Sequence, residues 1–327
     1  MRLADYRCNR ANYRTIKSMS KTILVTGVNG FVGKHLAREL KNRGDEVIGI
    51  GREASPAPEI KELLTDYWAC DLMDKGAVAK LSLEGIDGII SLAGLARVGD
   101  SFANPEKYNQ VNVGVLANLC QVLVDRKLRP RIIAISTAYV YEPRQTLPIT
   151  EQSELINDGS PYAKSKLAME KAVKAFRDQG LEIVIVRPFN HIGPGQEEGF
   201  LVPDLFAKLR SAKEIIKVGN LANRRDYTDV RDVVRAYVDL THAESLDYDL
   251  YVVASGKSVP GQQVLKLLLD NMGLTGKIRA VVDQKLLRPN DFADLCGSYE
   301  RLNRQTGWQP QISLQKTLED FVKSSSS

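Results

Sequence analysis

The sequence predicts an α/β protein, a doubly wound parallel sheet followed by a smaller, irregular C-terminal lobe. Two observations carry that expectation. From Thr22 to about Arg187, short β-branched runs alternate with longer segments of helical periodicity, the pattern of βαβ construction. After Pro188 the alternation gives way to short helices and isolated strands rich in Gly, Pro and Asn. The expected division is an N-terminal extension over 1–20, a main domain over 21–187, a second lobe over 188–323 that partly returns to the main sheet, and a tail over 324–327.

The predicted strands are Thr22–Gly27, Glu46–Gly51, Thr65–Ala69, Gly88–Leu92, Arg131–Ser136 and Leu181–Arg187. Most are apolar nearly throughout, as strands covered by helices on both faces must be. Pro105–Lys127 and Ser160–Gln179 read as the principal helices between them.

With 43% hydrophobic and 26% charged residues, the 327-residue chain has the profile of a globular protein with one large core or two fused ones. The net charge of +5 comes from 45 basic and 40 acidic residues scattered along the chain. Nothing in that distribution resembles a nucleic-acid-binding stripe, whereas a small anionic ligand suits it. Cys8, Cys70, Cys120 and Cys296 form no Cys-x-x-Cys pair, so neither a metal site nor a disulfide framework is expected, and a reducing cytoplasm fits. No run approaches the roughly 18 apolar residues of a membrane span. The basic, polar first twenty residues lack the apolar middle of a secretory signal. They read as a floppy extension, or as sequence before a start at Met19, more readily than as an organelle-targeting segment.

The first strand runs directly into Gly27-Val28-Asn29-Gly30-Phe31-Val32-Gly33, after which a helix is expected over Lys34–Lys41. Each glycine has a physical use. Gly27 permits a tight turn, Gly30 lets the backbone approach a pyrophosphate, and Gly33 lets helix and strand pack closely. The helix N-terminus then offers its unpaired N–H groups and positive dipole end to the phosphates. This junction identifies the main domain as a Rossmann-type dinucleotide site with Gly27, Asn29, Gly30, Phe31, Val32 and Gly33 as its cradle. At the end of the second strand, where an NAD enzyme usually presents an acid to the ribose hydroxyls, stand Gly51 and Arg52. Room for a 2′-phosphate and a guanidinium to pair with it favour NADP(H), while Glu53 keeps NAD(H) open. Asp71 and Leu72, after the third strand, are candidates to hold the adenine, although a turn aspartate would look the same.

Tyr162 and Lys166 lie four residues apart behind a helix start marked by Ser160 and Pro161, so both fall on one helix face. A phenol is a poor acid at neutral pH unless a neighbouring ammonium stabilises its anion. Given that neighbour, it can exchange a proton with a carbonyl oxygen while a nicotinamide exchanges the hydride. Tyr13 and Lys17 repeat the spacing without any strand before them and are read as chance. Upstream, Ser136 and Thr137 end a strand, and a hydroxyl there would hydrogen-bond the reacting oxygen.

Taken together, the glycine junction, Thr137 with Val140-Tyr141 downstream, and Tyr162-x-x-x-Lys166 resemble the extended short-chain dehydrogenase/reductases, the sugar-nucleotide epimerases, dehydratases and reductases. The resemblance spans Thr22 to Val322. It implies that Thr137 rather than Ser136 is catalytic with Tyr162 and Lys166, that Leu92, Ala93 and Gly94 cover the cofactor, and that Asn112 braces the machinery. Tyr162, Lys166 and Pro188 are also expected at the cofactor. It further implies homodimers formed through the helices Pro105–Lys127 and Ser160–Gln179. Segments of the second lobe, including Arg187–Gly195, Gly199–Pro203, Arg224–Arg231 and Arg288–Asp291, resemble those of GDP-6-deoxy-4-keto-mannose reductases. By that likeness Arg225 and Arg288 clamp the diphosphate of a nucleotide-sugar, with Asn190 and the backbone near Val202 beside it. Where dehydratases of the family carry Asp-Glu after the catalytic Thr, this chain has Ala138-Tyr139, which disfavours elimination of water. His191 either tunes the substrate pocket or serves as a structural hydrogen-bonder. The expected function is reduction of a nucleotide-linked 4-keto-6-deoxy sugar. The alternatives are an epimerase with tightly held NAD and a non-catalytic NADP-sensing protein.

Overall fold

Alternating strands and helices assemble into one parallel sheet. The structure, a computed structural model, describes residues 20–286 and 292–325. The N-terminal extension up to Met19, with Cys8 and the Tyr13/Lys17 pair, and the expected substrate residue Arg288 lie outside the described residues. The first half contributes β1 (Thr22–Thr26), α1 (Phe31–Asn42), β2 (Glu46–Gly51), β3 (Asp66–Ala69), α2 (Lys75–Val78) and β4 (Gly88–Ser91). It continues through α3 (Val98–Ala103), α4 (Pro105–Asp125), β5 (Arg131–Ile135), α5 (Pro161–Arg177) and β6 (Ile183–Pro188). All six predicted strands are present, each within two residues of its expected bounds. The helix expected from Lys34 begins at Phe31 with Gly30 as its cap residue, so the cradle itself forms its first turn.

The second half supplies β7 (Asn190–Ile192), α6 (Leu201–Ser211), β8 (Ile215–Val218), β9 (Arg224–Asp229), α7 (Val230–His242) and β10 (Leu250–Val253). After these come β11 (Ser258–Pro260), α8 (Gly261–Asn271), β12 (Arg279–Val282), β13 (Asp294–Leu295), α9 (Glu300–Thr306) and α10 (Leu314–Ser325). The main sheet has seven strands in the order β10-β6-β5-β4-β1-β2-β3, all parallel. Its last strand, β10, comes from the C-terminal half, and α7 packs on the sheet beside α1. The boundary at 188 therefore separates the elements in sequence more cleanly than in space. Ser324 and Ser325, expected in a solvated tail, continue α10, and Ser324 Oγ donates to the Phe321 carbonyl. The apolar stripe Leu318, Phe321 and Val322 buries that helix in the second lobe's core and holds its last turn.

One face of the sheet is covered by α1 and α7, where Leu36, Leu40, Val233 and Tyr237 meet Ile23, Val25 and Ile133. The other is covered by α4 and α5, through Leu116, Leu119, Met169 and Val173 against Leu24, Ile132 and Ile185. Strand order reverses between β1 and β4, and it is in the crevice beside such a reversal, at the carboxyl ends of the strands, that open α/β sheets take ligands. A separate core beneath α6, α8 and α10 supports the small β9 and β8 sheets of the second lobe.

Gly33 sets the distance between α1 and the sheet. A Cβ there would lie 2.5 Å from the carbonyl oxygens of both Gly27 and Val28, which are backbone atoms unable to swing aside. Gly33→Ala should therefore lower stability by about 1–3 kcal/mol in urea unfolding, and weaken dinucleotide binding in calorimetry by displacing the turn.

Candidate active site

At the carboxyl end of β1, Gly27 adopts φ +70° and lies so close to the β4 loop that a Cβ would sit 3.0 Å from the Ala93 nitrogen. Gly30 caps α1 with extended backbone, no side chain caps the helix, and its first turn carries no acid. The amides there face the crevice, which is the environment a pyrophosphate requires. The chain therefore fits a dinucleotide on its backbone geometry, independently of any motif. Asn29, expected at the cofactor, ties the glycine turn by its side chain to residues beyond β2. Its Nδ2 donates to Glu53 Oε2 at 2.8 Å and to the Tyr67 hydroxyl at 3.2 Å, while its Oδ1 accepts from the Ala57 N–H. That bond to Asn29 keeps the Glu53 carboxyl below its ordinary range, so an anion stands at the end of β2 beside the exposed Arg52. Leu72 is buried, and Asp71 accepts from the Met73 N–H in a tight turn.

Side chains from β1 and α4 tie down the loop after β4. Ala93 N–H donates to Thr26 Oγ1 at 3.1 Å. Asn112, buried on α4, holds Leu95 by both backbone groups, accepting from its N–H at 2.7 Å and donating to its carbonyl at 3.1 Å. The same amide donates to Ser165 Oγ at 2.8 Å, which binds α5 to the loop. A Cβ on Gly94 would collide with Asn112 Oδ1 at 2.8 Å, so the loop passes there only as glycine.

Tyr162 and Lys166 occupy one buried stripe of α5, against the end of β5. The Thr137 hydroxyl lies beside the Tyr162 phenol and favours its ionisation, and the ring stands edge-on to Tyr108. Lys166 Nζ donates to the Ile135 carbonyl at 2.8 Å. Burial pushes the phenol up to about 12, with Thr137 opposing the rise, and brings the ammonium down to about 8, with Glu170 opposing the fall. Of the two strand-end hydroxyls only Thr137 meets the phenol. Ser136 Oγ turns the other way and donates to Glu170 Oε1 at 2.5 Å.

Glu170 was not anticipated. It extends the Tyr162–Lys166 spacing by one further turn, which is the signal a stripe search along the helix would have used. Its carboxylate receives Arg187 in bidentate fashion, Nε at 2.9 Å and Nη2 at 2.6 Å, with both side chains buried. The guanidinium lies 4.8 Å over the Tyr141 ring.

Beyond β6, Asn190 has its Oδ1 buried with no hydrogen-bond partner among the described residues, an acceptor in want of a donor. His191 is half-buried, donates from Nδ1 to the Phe189 carbonyl at 3.2 Å, and stacks on Phe31 with centroids 6.2 Å apart. Burial lowers its pKa, so it packs as a neutral ring. Val202 is wholly buried in the second-lobe core, leaving only its backbone for a ligand. Arg225 is buried, with Nη1 donating to the carbonyls of Arg224 and Phe292, both at 2.7 Å. Among the described residues no His/Cys/Asp/Glu group is arranged to hold a metal ion, and no helix is long and apolar enough to cross a membrane.

Comparison with known proteins agrees with this geometry. Residues 23–254 match the NAD dependent epimerase/dehydratase family. The GDP-6-deoxy-D-mannose reductase of Pseudomonas aeruginosa is 32% identical over 93% of this chain and 97% of its own. The structure of RMD from Pseudomonas aeruginosa complexed with NADPH aligns with a TM-score of 0.79 at 29% identity, covering 94% of this chain and 100% of that one. UDP-glucose 4-epimerase from Thermotoga maritima, solved with UDP-glucose, aligns at 0.83 and 26% identity over 93% and 98%. The chain belongs to the NAD dependent epimerase/dehydratase family, the extended short-chain dehydrogenase/reductases. It is an NAD(P)-dependent oxidoreductase of nucleotide-sugar metabolism with a Rossmann-type fold.

Because the Arg187–Glu170 pair is sealed from solvent, removing one partner strands the other charge. Arg187→Met should cost about 3–5 kcal/mol in denaturant unfolding, whereas the double variant Glu170→Gln/Arg187→Met should recover part of it.

Proposed function

We propose that this protein reduces the 4-keto group of a nucleotide-diphosphate 6-deoxy-4-keto sugar, with GDP-4-dehydro-6-deoxy-D-mannose as substrate type and GDP-rhamnose as product type. The observation that carries the reading is the buried Tyr162 phenol beside Thr137 with Lys166 one turn along, in a site where Ala138 and Tyr139 stand in place of an acid pair. A reductase needs one proton at the carbonyl oxygen and no second acid or base for elimination. The name of the Pseudomonas aeruginosa relative supports the choice of sugar.

In this reading Gly27, Asn29, Gly30, Phe31, Val32 and Gly33 hold the pyrophosphate, Arg52 the 2′-phosphate, and Asp71 and Leu72 the adenine. Leu92, Ala93 and Gly94, braced by Asn112, close over the nicotinamide half with Pro188. NADP(H), when bound, supplies the hydride. Thr137 donates to the ketone oxygen, and Tyr162 passes its proton to that oxygen as negative charge builds there. Lys166, cationic below pH about 8, stabilises the phenolate left behind. Asn190, the backbone at Val202, Arg225 and Arg288 hold the sugar nucleotide. A homodimer packed through α4 and α5, and a cytoplasmic setting, complete the proposal.

The test is loss of NADPH absorbance with GDP-4-keto-6-deoxymannose. Wild type should consume cofactor, and Tyr162→Phe should lose about 10²–10⁴ of kcat. Since Lys166 sheds its proton as pH rises through about 8, reductive turnover should decline over that interval while the phenol itself stays protonated. No NADPH consumption by folded wild type rejects the reading.

One observation favours an epimerase using NAD(H), namely the Glu53 carboxylate at the end of β2, where a ribose would seek an acceptor. An epimerase would release tightly bound NAD on denaturation. The two cofactors separate at Arg52. Arg52→Ala should raise KM for NADPH by roughly tenfold or more and leave that for NADH nearly unchanged, the loss of one charge-assisted contact.

A further inference from the structure

Tyr139 follows the reacting hydroxyl by two residues, and its position is locked to it. Its N–H donates to Thr137 Oγ1 at 3.3 Å within the short turn Ala138–Val140. The half-buried ring stands edge-on against buried Phe292, with centroids 5.7 Å apart and planes at 83°. Phe292 in turn carries Arg225, whose guanidinium donates to the Phe292 carbonyl at 2.7 Å and lies 5.9 Å from its ring. Thr137, Tyr139, Phe292 and Arg225 thus form a continuous line of contacts. It starts at the hydroxyl that meets Tyr162 and ends at a buried cation. Behind the two rings lie Ala138, Val140, Phe189 and Leu295, an apolar backing that gives the rings nowhere to retreat.

A sugar joined to a diphosphate at one end and reduced at the other must lie along such a line. Its ring offers apolar C–H patches that pack on aromatic surfaces, and a 6-deoxy sugar adds a methyl group. Tethered only at the diphosphate, a 4-keto sugar is free to turn about its linking bonds and expose either face. An epimerase depends on that freedom. A fixed aromatic wall beside the reacting oxygen removes it.

Resting on the reduction reading above, we infer that Tyr139, backed by Phe292, is a specificity-determining wall that holds one face of the 4-keto sugar toward the hydride donor and fixes the configuration of the new alcohol. The carbonyl carbon then receives hydride from that face alone and its oxygen the proton, giving a single C4 epimer.

The experiment compares wild type, Tyr139→Phe and Tyr139→Ala with NADPH and GDP-4-keto-6-deoxymannose, the product configuration being read by proton NMR. Wild type and Tyr139→Phe should give one epimer. Tyr139→Ala should give both, with the ratio falling below about 10:1, since a wall lost costs discrimination on the order of that from a few buried methylenes. Calorimetry without cofactor supplies a second readout. The preference of the protein for GDP-rhamnose over GDP should shrink about tenfold in Tyr139→Ala, and affinity for GDP alone should not change. A single epimer from Tyr139→Ala with an unaltered binding preference overturns the inference, as does epimerisation by wild type. No NADPH consumption by wild type defeats the reduction reading instead, and calorimetry alone then decides whether Tyr139 meets the sugar. Should Tyr139→Ala fail to fold by thermal melting, Tyr139→Leu takes its place in both measurements.

Discussion

Two charges buried together, Arg187 on β6 and Glu170 on α5, are the constraint around which the site is arranged. Each would be strongly penalised alone in the interior, and each is tolerated because the fork of one matches the two oxygens of the other. The geometry is unforgiving, so helix and strand have one register relative to each other. Ser136 adds the neighbouring strand by donating to the same carboxylate. With β5, β6 and α5 pinned at one point, the residues one and two turns back along α5, Lys166 and Tyr162, are presented to the end of β5 at a set height. Thr137, next after Ser136, then has only one direction left for its hydroxyl.

The same pair tunes as well as positions. Lys166 loses proton affinity through burial, and the Glu170 carboxylate one turn away restores part of it. A lysine left wholly to desolvation would hold its proton less well and give a phenolate less support. One compensated by an exposed partner would be screened by water. A carboxylate already neutralised by arginine gives an intermediate field, enough to keep the amine near its charged form without drawing it into an ion pair that would pull it from the Ile135 carbonyl.

Much of the fold was legible because its signals are local. The apolar runs and the Gly27–Gly33 junction each lie within a dozen residues, and their periods distinguish strand from helix without reference to anything distant. The stripe of α5 was half legible, since Tyr162 and Lys166 stood out and Glu170 did not. What makes Glu170 matter is Arg187, seventeen residues on and across a strand. Choosing between Ser136 and Thr137 required the family resemblance, because adjacent strand residues point to opposite faces and sequence alone does not say which face is the crevice. The roles of Asn29 and Phe292 were invisible for the same reason. Their partners, Glu53 with Tyr67 and Tyr139 with Arg225, are brought together only by the completed sheet and lobe. Arg225 was singled out as a charge, yet its burial depends on a backbone carbonyl that no side-chain pattern reports.

Ring contacts join the glycine-rich turn to the segment after β6, and this bears on how the halves of the site are coupled. Phe31 belongs to the glycine-rich turn by its backbone, but its ring stacks on His191 and stands edge-on to His35, which itself hydrogen-bonds the Pro194 carbonyl. Burial lowers the pKa of both histidines, which favours their neutral rings. Asn190, with its unpartnered buried oxygen, is the residue immediately before His191. A shift of the turn would therefore reach the segment that carries Asn190 through contact between these rings. The phosphate cradle and the start of the second lobe are in this sense one mechanical unit, although a boundary drawn at residue 188 assigns them to different domains.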